Sequence, residues 1–382
     1  MSSRLATPLL LAACAVLLVI WPSAASAFHE PKRWLFAAVA LGAVLLTLGD
    51  LRRWNVAALP LVVVTTLRPS IEALAFAWAL VALPAVVART DRARLVDALT
   101  WTGVLAAGVV LLQALGVDPL AAFHPDAPGT RLSRYGTLGN PDFVASALLP
   151  IAVLCAPDTH ANRGAPLRLL LLAGALAAAQ SLATVLGAGL AVLAWLAHRR
   201  SHDPLAPATG GGKLVVAAAL LLVALPLLSR DVATTTRGRA YLVAVALPHV
   251  LDAPLLGQGA GVVVERWPAW ELETWQARCA DAACVEAHPE GRFTGAQDHV
   301  HADWLEVLLE RGLLGLAALG LALGAALRTA WRSPRGATVF AALVAALSRT
   351  LVDFPLARPA DLCVLALLVA FARAPDAPSP GV

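Results

Sequence analysis

The sequence predicts an all-α polytopic membrane protein with about twelve transmembrane helices and one large extracytoplasmic loop. Hydrophobic residues make up 59% of the 382 residues and charged residues only 14%, whereas about one quarter of a soluble domain is charged. The mean hydropathy is +0.73. Apolar runs of nearly membrane-spanning length recur along almost the whole chain. We therefore predict a single membrane domain over residues 1–382, and the net charge of +4 does not point to a nucleic acid partner.

The apolar runs, taken in order, delimit the predicted spans. They cover residues 5–22, 34–49, 55–68, 71–88, 95–116, 140–156, 166–181, 183–198, 213–229, 302–327, 336–353 and 359–373. The turn near Ser181–Thr184 lies at membrane depth, which is tolerable only if protein covers it. The first run ends near Ala25-Ser26-Ala27, so residues 1–27 are either a retained helix or a cleavable signal peptide.

The distribution of arginine sets the orientation and gives the first functional indication. With the N-terminus in the cytoplasm, many basic residues fall in short inner loops, as the positive-inside rule requires. Residues 117–141 and 230–301 then form outer loops, a first functional loop and a large periplasmic loop. An outer surface should be poor in arginine unless arginine has a role there, yet these loops contain Arg131, Arg134, Arg237 and Arg239.

Other polar and aromatic residues of the outer side are predicted to have structural roles. Cys279 and Cys284 are spaced for a disulfide in an oxidising compartment, whereas Cys14, Cys155 and Cys363 lie in apolar spans and are predicted core residues. The turn over residues 29–33 is predicted to anchor at the membrane interface. Three tryptophans of the large loop are predicted to form an aromatic belt, with a sugar-stacking surface as the alternative: Trp267, Trp270 and Trp275.

The loop over residues 117–141 carries a predicted anion site. Arg131 and Arg134 precede Asn140-Pro141, where Pro141 suits the first turn of a helix and Asn140 its N-cap. The positive end of that helix would face the arginines. Guanidinium groups beside free backbone N–H groups bind phosphate or pyrophosphate. Anchoring to lipid headgroups would explain the same arginines equally well.

The stretch from Asp298 to Gly315 contains the candidate catalytic residues. Interpreted as a helix that begins near Asp298, it places His301 on one face and four polar residues on another, namely His299, Asp303, Glu306 and Glu310. Carboxylates in an otherwise apolar span are functional suspects. Further along, Arg349 and Asp353 are spaced to pair on one helix, and Arg358 is predicted to be free to point at the same cavity.

These clusters together predict a transfer reaction. Arginines can hold a lipid-linked phosphate, and a histidine of near-neutral pKa can take a proton from a hydroxyl group. Pyrophosphate would leave with its charge stabilised by the arginines, so the prediction includes no ATP, metal ion or other cofactor. The predicted class is transfer from a lipid pyrophosphate donor to a hydroxyl acceptor.

Four segments, in order, resemble the O-antigen ligase / Wzy-type polymerase superfamily of bacterial membrane glycosyltransferases. They are Arg134-Tyr-Gly-Thr-Leu-Gly-Asn140-Pro141, Arg237-Gly-Arg239 with Asp252–Gly261, His299-Val-His301 through Gly315, and Asp353-Phe with Pro359. The chain departs from the family pattern in three places. Ala302 and Asp142 replace asparagines, and the arginine often found after the serine at Ser181 is missing.

The resemblance implies a GT-C-like helical fold and a metal-independent, inverting glycosyltransferase. The implied donor is an undecaprenyl-pyrophosphate-linked glycan, used at the periplasmic face of the bacterial inner membrane. The implied acceptor is a hydroxyl of a glycan, of lipid A core or of a protein. The implied roles are acceptor activation by His301 with His299 beside it, diphosphate binding by Arg131, Arg134, Arg237 and Arg239, and support by Asp298, Asp303, Glu306, Arg349 and Asp353.

Two other functions fit parts of the sequence. His299-x-His301-x-Asp303 is similar to a zinc-hydrolase motif, although on a helix the two histidines would point in roughly opposite directions. A secondary transporter would use Asp303, Glu306 and Arg349 as sites near the midplane, but the sequence has no convincing internal repeat. Within the superfamily, ligase, polymerase and protein O-oligosaccharyltransferase share these motifs.

Overall fold

The computed structural model describes residues 2–21, 26–123, 131–155, 164–202, 232–279, 284, 297–333 and 336–373. These residues form α-helices and 3-10 turns without any β-strand, so the predicted all-α class is confirmed. The helices are α1 (Ser2–Ala15), α2 (Glu30–Thr47), α3 (Leu59–Leu67), α4 (Ile71–Val87), α5 (Arg92–Ala114), α6 (Pro141–Cys155), α7 (Ala165–Ala179), α8 (Leu182–His202), α9 (Val232–Ala246), α10 (Val262–Arg278), α11 (Asp303–Arg332), α12 (Ala337–Arg349) and α13 (Pro359–Arg373).

Three of these helices are long and apolar enough to cross a membrane, namely α5, α8 and α11. Shorter apolar segments include Val56–Leu67, Ile71–Val87, Pro141–Cys155, Ala165–Ala179 and Ala337–Arg349. An apolar helix of about 20 residues spans the hydrocarbon core, and shorter ones need protein around their ends. The helices fit an integral membrane protein. The count of twelve spans stays a prediction, and its segment 213–229 lies outside the described residues.

Two helices form the centre of the main core. Residues 75–87 of α4 and 359–372 of α13 are buried on every side, as expected of helices that are apolar all round. The small side chains of α4 allow close helix approach, and α4 packs against both α2 and α13. Around this pair, α12 packs on α8 and α6, and α5 packs on α7. Helix α1 joins the same core through Leu10, and the turn after this helix joins it through Leu17.

The tight turn predicted near Ser181–Thr184 is present and covered by protein. Helix α7 ends at Ala179, Gln180 adopts a left-handed conformation with φ 51°, and α8 begins at Leu182. Ser181 and Thr184 are both buried. Arg349 donates hydrogen bonds to their hydroxyl oxygens at 2.9 and 3.1 Å. An arginine from the far end of the sequence therefore binds the polar groups that this turn leaves inside the fold.

A second, smaller core belongs to the predicted large periplasmic loop. Side chains of α9 and α10 pack together with Val300, Ala302 and the first turns of α11. Trp267, Trp270 and Trp275 are buried in it, with exposures of 0, 3 and 8%. The predicted aromatic belt is therefore wrong, because these rings supply the large apolar area that lets a short loop region form its own core. The Cys279–Cys284 disulfide, favoured from the spacing, closes the end of α10.

Helix α11 is broken at Gly312, and a loop segment is inserted into the break. Gly312 has φ 63° and ψ −167°, a combination open essentially to glycine alone. Main-chain hydrogen bonds join the inserted segment, residues 254–259, to both sides of the break. Gln258 and Gly259 donate to the carbonyls of Leu309 and Glu310 at 2.7 and 3.1 Å, and Leu313 and Leu314 donate to those of Pro254 and Leu255 at 2.8 and 3.2 Å. These four hydrogen bonds pair main-chain groups on both sides of the break, and backbone inside a membrane requires such pairing.

Gly312→Ala is expected to destabilise the folded protein by at least about 1–3 kcal/mol, because alanine is strained in this conformation. An added Cβ at position 312 would also lie 2.3 Å from the carbonyl carbon of Leu255. Gly324→Ala in the same helix is the matched control, since a Cβ there meets nothing within 4 Å and alanine is the better helix former. Thermal unfolding in detergent should rank Gly312→Ala below the parent protein and Gly324→Ala at or above it. Equal melting of the two variants would contradict this role of the break.

Candidate functional site

The two histidines lie in an extended segment just before α11, and not on the helix itself. The helix begins at Asp303, and His301 has a left-handed backbone with φ 54°. The prediction of a helix from Asp298 with one continuous polar face is therefore wrong. The side chains of His299 and Glu306 nevertheless meet, because the extended segment folds back over the first turn of the helix.

His301 is placed against a buried carboxylate. Its Nδ1 lies 3.6 Å from Oδ1 of Asp353, and its side chain is 34% exposed. The ring makes an edge contact with Phe354, with 4.7 Å between centroids. The Nδ1–Oδ1 separation of 3.6 Å is longer than a hydrogen bond, and Nδ1 is buried without a hydrogen-bond partner among the described residues. The negative charge of Asp353 beside Nδ1 favours the tautomer with its hydrogen on Nδ1, which leaves Nε2 able to accept a proton. The geometry of His301 therefore suits a general base.

Asp353 lies between two buried arginines. Arg349 donates to Oδ2 of Asp353 at 2.8 Å, and Arg358 lies 3.5 Å from the same oxygen. The predicted Arg349–Asp353 pair is confirmed, although α12 ends at Arg349 and the two residues do not share a helix. Arg358 also pairs with Asp361 at 2.7 Å and is 3% exposed. The prediction that Arg358 is free to point into a cavity is therefore wrong, because both of its neighbouring carboxylates hold it.

His299 forms a second, closer histidine–carboxylate pair. Its Nδ1 lies 2.8 Å from Oε1 of Glu306, and its ring stacks on Phe354 at 4.2 Å between centroids. Burial by itself lowers the pKa of His299. The hydrogen bond to Glu306 and the nearby charges of Glu306, Asp298 and Glu310 outweigh burial, so the pKa lies above its usual value. Because both histidines contact Phe354, the two pairs are parts of one cluster.

Glu306→Gln is expected to lower the pKa of His299, because the substitution removes the charge that holds the protonated ring. A folded-state pKa raised above the unfolded value of about 6.5 gives stability that is fully present at pH values below it. That stability is lost as the pH rises through the folded-state pKa. Exchange of the imidazole C2 hydrogen, followed by mass spectrometry, reports each histidine separately. The midpoint of His299 should fall in the variant relative to the parent protein, and an unchanged His299 midpoint would contradict the pairing.

The other predicted supporting residues have clear positions. Asp303 is buried, accepts a hydrogen bond from the backbone N–H of Leu356 at 3.0 Å, and donates its own N–H to the carbonyls of Thr350 and Asp353. Asp303 therefore fixes the start of α11 to the turn that carries Asp353. Asp298 is exposed and acts on His299 only through its charge.

Three of the predicted diphosphate-binding arginines, Arg134, Arg237 and Arg239, have no carboxylate partner within the described part of the chain. Arg134 donates to the carbonyl of Ala178 at 3.0 Å. Arg237 is exposed and contacts only its own helix turn, and Arg239 is half-buried. The side chain of Arg131 lies outside the described residues. Arginines without a carboxylate keep their charge available for an anion.

Contacts connect these arginines to the histidine cluster from two directions. Ala178, which binds Arg134, lies three residues before Ser181, and Arg349 joins Ser181 to Asp353 beside His301. On the other side, α9 carries Arg237 and Arg239 and packs into the second core, which includes the two residues that flank His301, Val300 and Ala302. A chain of contacts thus links Arg134 to the histidine cluster, and helix α9 packs against the segment that carries His301.

A cavity of about 310 Å³ lies beside the histidine cluster and contains residues that sequence analysis did not assign to a site. It is bounded by α2, α3, α4 and the start of α11. His299, Asp303, Glu306 and Glu310 line it, as do residues predicted to be interfacial or not assigned at all, including His29, Arg33, Glu72 and Arg311. Both His29 and Arg33 pair with Glu72 there, and anchoring of their turn at the membrane interface stays a prediction. The opposite charges of Arg33 and Glu72 could have indicated a pair in the sequence. Only tertiary packing, however, brings that pair beside α11.

The described residues include no group of three or more His, Cys, Asp and Glu side chains placed to hold a metal ion. His299 and His301 turn to different carboxylates, Glu306 and Asp353. A zinc site needs three or four ligands converging on one point. The arrangement of these side chains therefore favours two histidine–carboxylate pairs over one metal centre.

Comparison with known proteins agrees with the motifs. Residues 167–320 match the protein family described as O-antigen ligase. No curated protein matches the chain. The matched region includes α7, α8, α9, α10, both histidines and the broken part of α11, and it supports an enzyme of the ligase or glycosyltransferase type that acts on glycans in a membrane. This similarity over residues 167–320 confirms the predicted resemblance to the O-antigen ligase / Wzy-type superfamily.

Proposed function

We propose that this chain transfers a glycan from an undecaprenyl-pyrophosphate donor to a hydroxyl acceptor at the periplasmic face of the bacterial inner membrane. The main observation in support of this proposal is that His301 lies beside Asp353. Both residues belong to the cluster that the arginine segments approach. A general base for the acceptor and a set of cations for the leaving group are the two requirements of such a transfer.

In the proposed reaction, His301 accepts the proton of the acceptor hydroxyl through its Nε2 atom. The acceptor oxygen attacks the anomeric carbon of the donor sugar from the face opposite the phosphate. The bond from that carbon to the phosphate oxygen breaks, and the electron pair leaves with undecaprenyl pyrophosphate. The product linkage is inverted. Asp353 holds the tautomer of His301 and balances the imidazolium charge after proton transfer.

Arg134, Arg237 and Arg239, with Arg131, are proposed to bind the donor diphosphate. Two observations support this role. Arg134, Arg237 and Arg239 have no carboxylate partner among the described residues, and the segments that carry them approach the cluster from two sides. Cationic donors at the leaving group stabilise the charge that develops as the bond breaks. The proposal requires no metal ion, because the guanidinium groups supply this charge.

Arg134→Ala is expected to lower kcat/KM for transfer by about 10- to 100-fold, the range for loss of one charge-assisted hydrogen bond. Leu132→Ala, at an exposed neighbouring position, is the matched control and should retain activity. The assay follows glycan transfer by purified protein in lipid vesicles, with and without EDTA. The parent enzyme should be equally active in both buffers. Full activity of Arg134→Ala would remove this residue from donor binding, and loss of parent activity in EDTA would instead favour a metal-dependent mechanism.

The transporter alternative has less support than an enzyme. Asp303, Glu306 and Arg349, the residues it would use, are each bound to other protein groups. The O-antigen ligase match over residues 167–320 also favours glycan transfer. Protein O-glycosylation shares the proposed chemistry and differs only in the acceptor hydroxyl.

A further inference from the structure

The cavity beside the histidine cluster differs in charge from the predicted diphosphate site. Each cation of its lining has a carboxylate partner. Arg33 pairs with Glu72, and His299 pairs with Glu306. Arg311 pairs with Glu310 at 2.5 Å. No arginine of the lining is therefore left without a carboxylate. A diphosphate in this space would have to displace a carboxylate from each arginine, and like-charge contacts in a partly buried site are costly.

The same lining is suited to a neutral molecule with many hydroxyl groups. Carboxylates accept hydrogen bonds from hydroxyls, and guanidinium groups donate to them. The Nε–H of Arg311 is buried and has no acceptor among the described residues, and Arg311 is only 7% exposed. Ser70 receives hydrogen bonds from Arg311 and from the N–H of Ala73, which leaves its own hydroxyl hydrogen free to donate. Phe76 supplies an apolar wall, as small-molecule pockets require.

The size and position of the cavity restrict the ligand further. A volume of about 310 Å³ is near the small end of ligand pockets, which run from about 300 to 1,000 Å³. It suits one or two sugar units and is too small for a lipid chain together with a glycan. His299 lines it, and the rings of His299 and His301 both contact Phe354. A sugar in the cavity would therefore have its edge near the proposed base.

We propose that this cavity binds the terminal, uncharged sugar of the acceptor glycan, with Glu72, Arg33, Ser70, Glu310 and Arg311 as the residues that select it. The assignment of this sugar to the acceptor rests on the proposed function, but the binding of a neutral sugar does not depend on it. The donor glycan is a second source of the same chemistry. The diphosphate is placed elsewhere, at the arginines that have no carboxylate partner.

The binding test uses no donor and no transfer reaction. Methyl hexosides are added to the full-length protein in detergent, and saturation-transfer NMR measures their binding. Glucose 1-phosphate and inorganic pyrophosphate are the anionic probes. We expect at least one neutral methyl hexoside to bind, and pyrophosphate not to displace it. Ala73→Leu, which fills the cavity, should abolish the signal. Val63→Leu, at an exposed position of α3, should leave it unchanged.

Glu72→Gln keeps the shape of the cavity and releases Arg33 from its partner. It should weaken hexoside binding and improve glucose 1-phosphate binding at least tenfold over the parent. Absence of binding by every methyl hexoside, or displacement of a bound hexoside by pyrophosphate in the parent protein, would overturn the proposal. Both results are independent of whether glycan transfer is observed.

Transfer kinetics then separate the two sources of sugar. Ala73→Leu and Glu72→Gln should raise the KM for the acceptor at least tenfold and leave the KM for the lipid-linked donor within twofold. A rise in the donor KM alone would assign the cavity to the donor glycan and overturn the acceptor assignment. If the parent protein binds methyl hexosides but transfers no glycan, the proposed function fails and the sugar site stands.

Discussion

Substitution of His301 by asparagine is expected to lower kcat/KM for glycan transfer by about 10²- to 10⁴-fold, the usual contribution of a general base. Asparagine is the sharper test than alanine, because His301 has φ 54° and asparagine tolerates that conformation better than most residues. The side chain of asparagine cannot accept the proton at neutral pH. The loss should appear in kcat as well as in kcat/KM, since the base acts in the transition state.

Three measurements make the His301 result interpretable. His301→Asn and His301→Ala should both remain in the membrane and show melting curves close to that of the parent. His202→Ala, at the far end of α8 beside His198, is the histidine control and should retain transfer. Binding of the lipid-linked donor should also persist in His301→Asn. Parent-level transfer by His301→Asn would exclude His301 as the base.

Asp353→Ala is expected to destabilise the protein by about 3–5 kcal/mol, because removing one partner of a buried ion pair leaves the other charge uncompensated. Arg349 is completely buried, and the carboxylate of Asp353 is its only charged hydrogen-bond partner among the described residues. Arg358 would keep Asp361. The loss should be visible as a lower midpoint of thermal or denaturant unfolding.

A double variant tests whether the cost of Asp353→Ala comes from the uncompensated charge. Arg349→Met together with Asp353→Leu replaces both charges by apolar groups, which is often neutral or stabilising for buried pairs. The double variant should unfold at a higher temperature than Asp353→Ala. In the cycle formed by Arg349→Met, Asp353→Leu and the double variant, the coupling free energy should be about 0.5–3 kcal/mol. Additive losses would contradict the interpretation. Transfer activity should fail in both, because His301 loses its orienting carboxylate.

Sequence alone predicted the class, most helices and the order of the polar segments, because these depend on local composition. Apolar runs locate helices wherever the surroundings are lipid or other helices. The same reasoning predicted the Cys279–Cys284 disulfide and the pairing of Arg349 with Asp353, since both pairs are close in sequence.

The parts that sequence reasoning missed depend on tertiary contacts. Helical periodicity assigned His299 to α11, but the Glu306 carboxylate and the Phe354 ring hold it in an extended segment instead. The tryptophans of α10 have the composition of an interface belt, and only folding of the loop shows that they form a core. The cavity joins α2, α4 and α11, which are far apart in the chain, so no local pattern indicated it.

The break at Gly312 also bears on how the protein is made. Residues 254–259 leave the ribosome before α11 does, yet their main-chain partners lie on both sides of the break in that helix. The main-chain groups of residues 254–259 therefore cannot form these hydrogen bonds until the helix has been synthesised. Translation order thus requires the loop to be inserted into α11 only after both segments have left the ribosome.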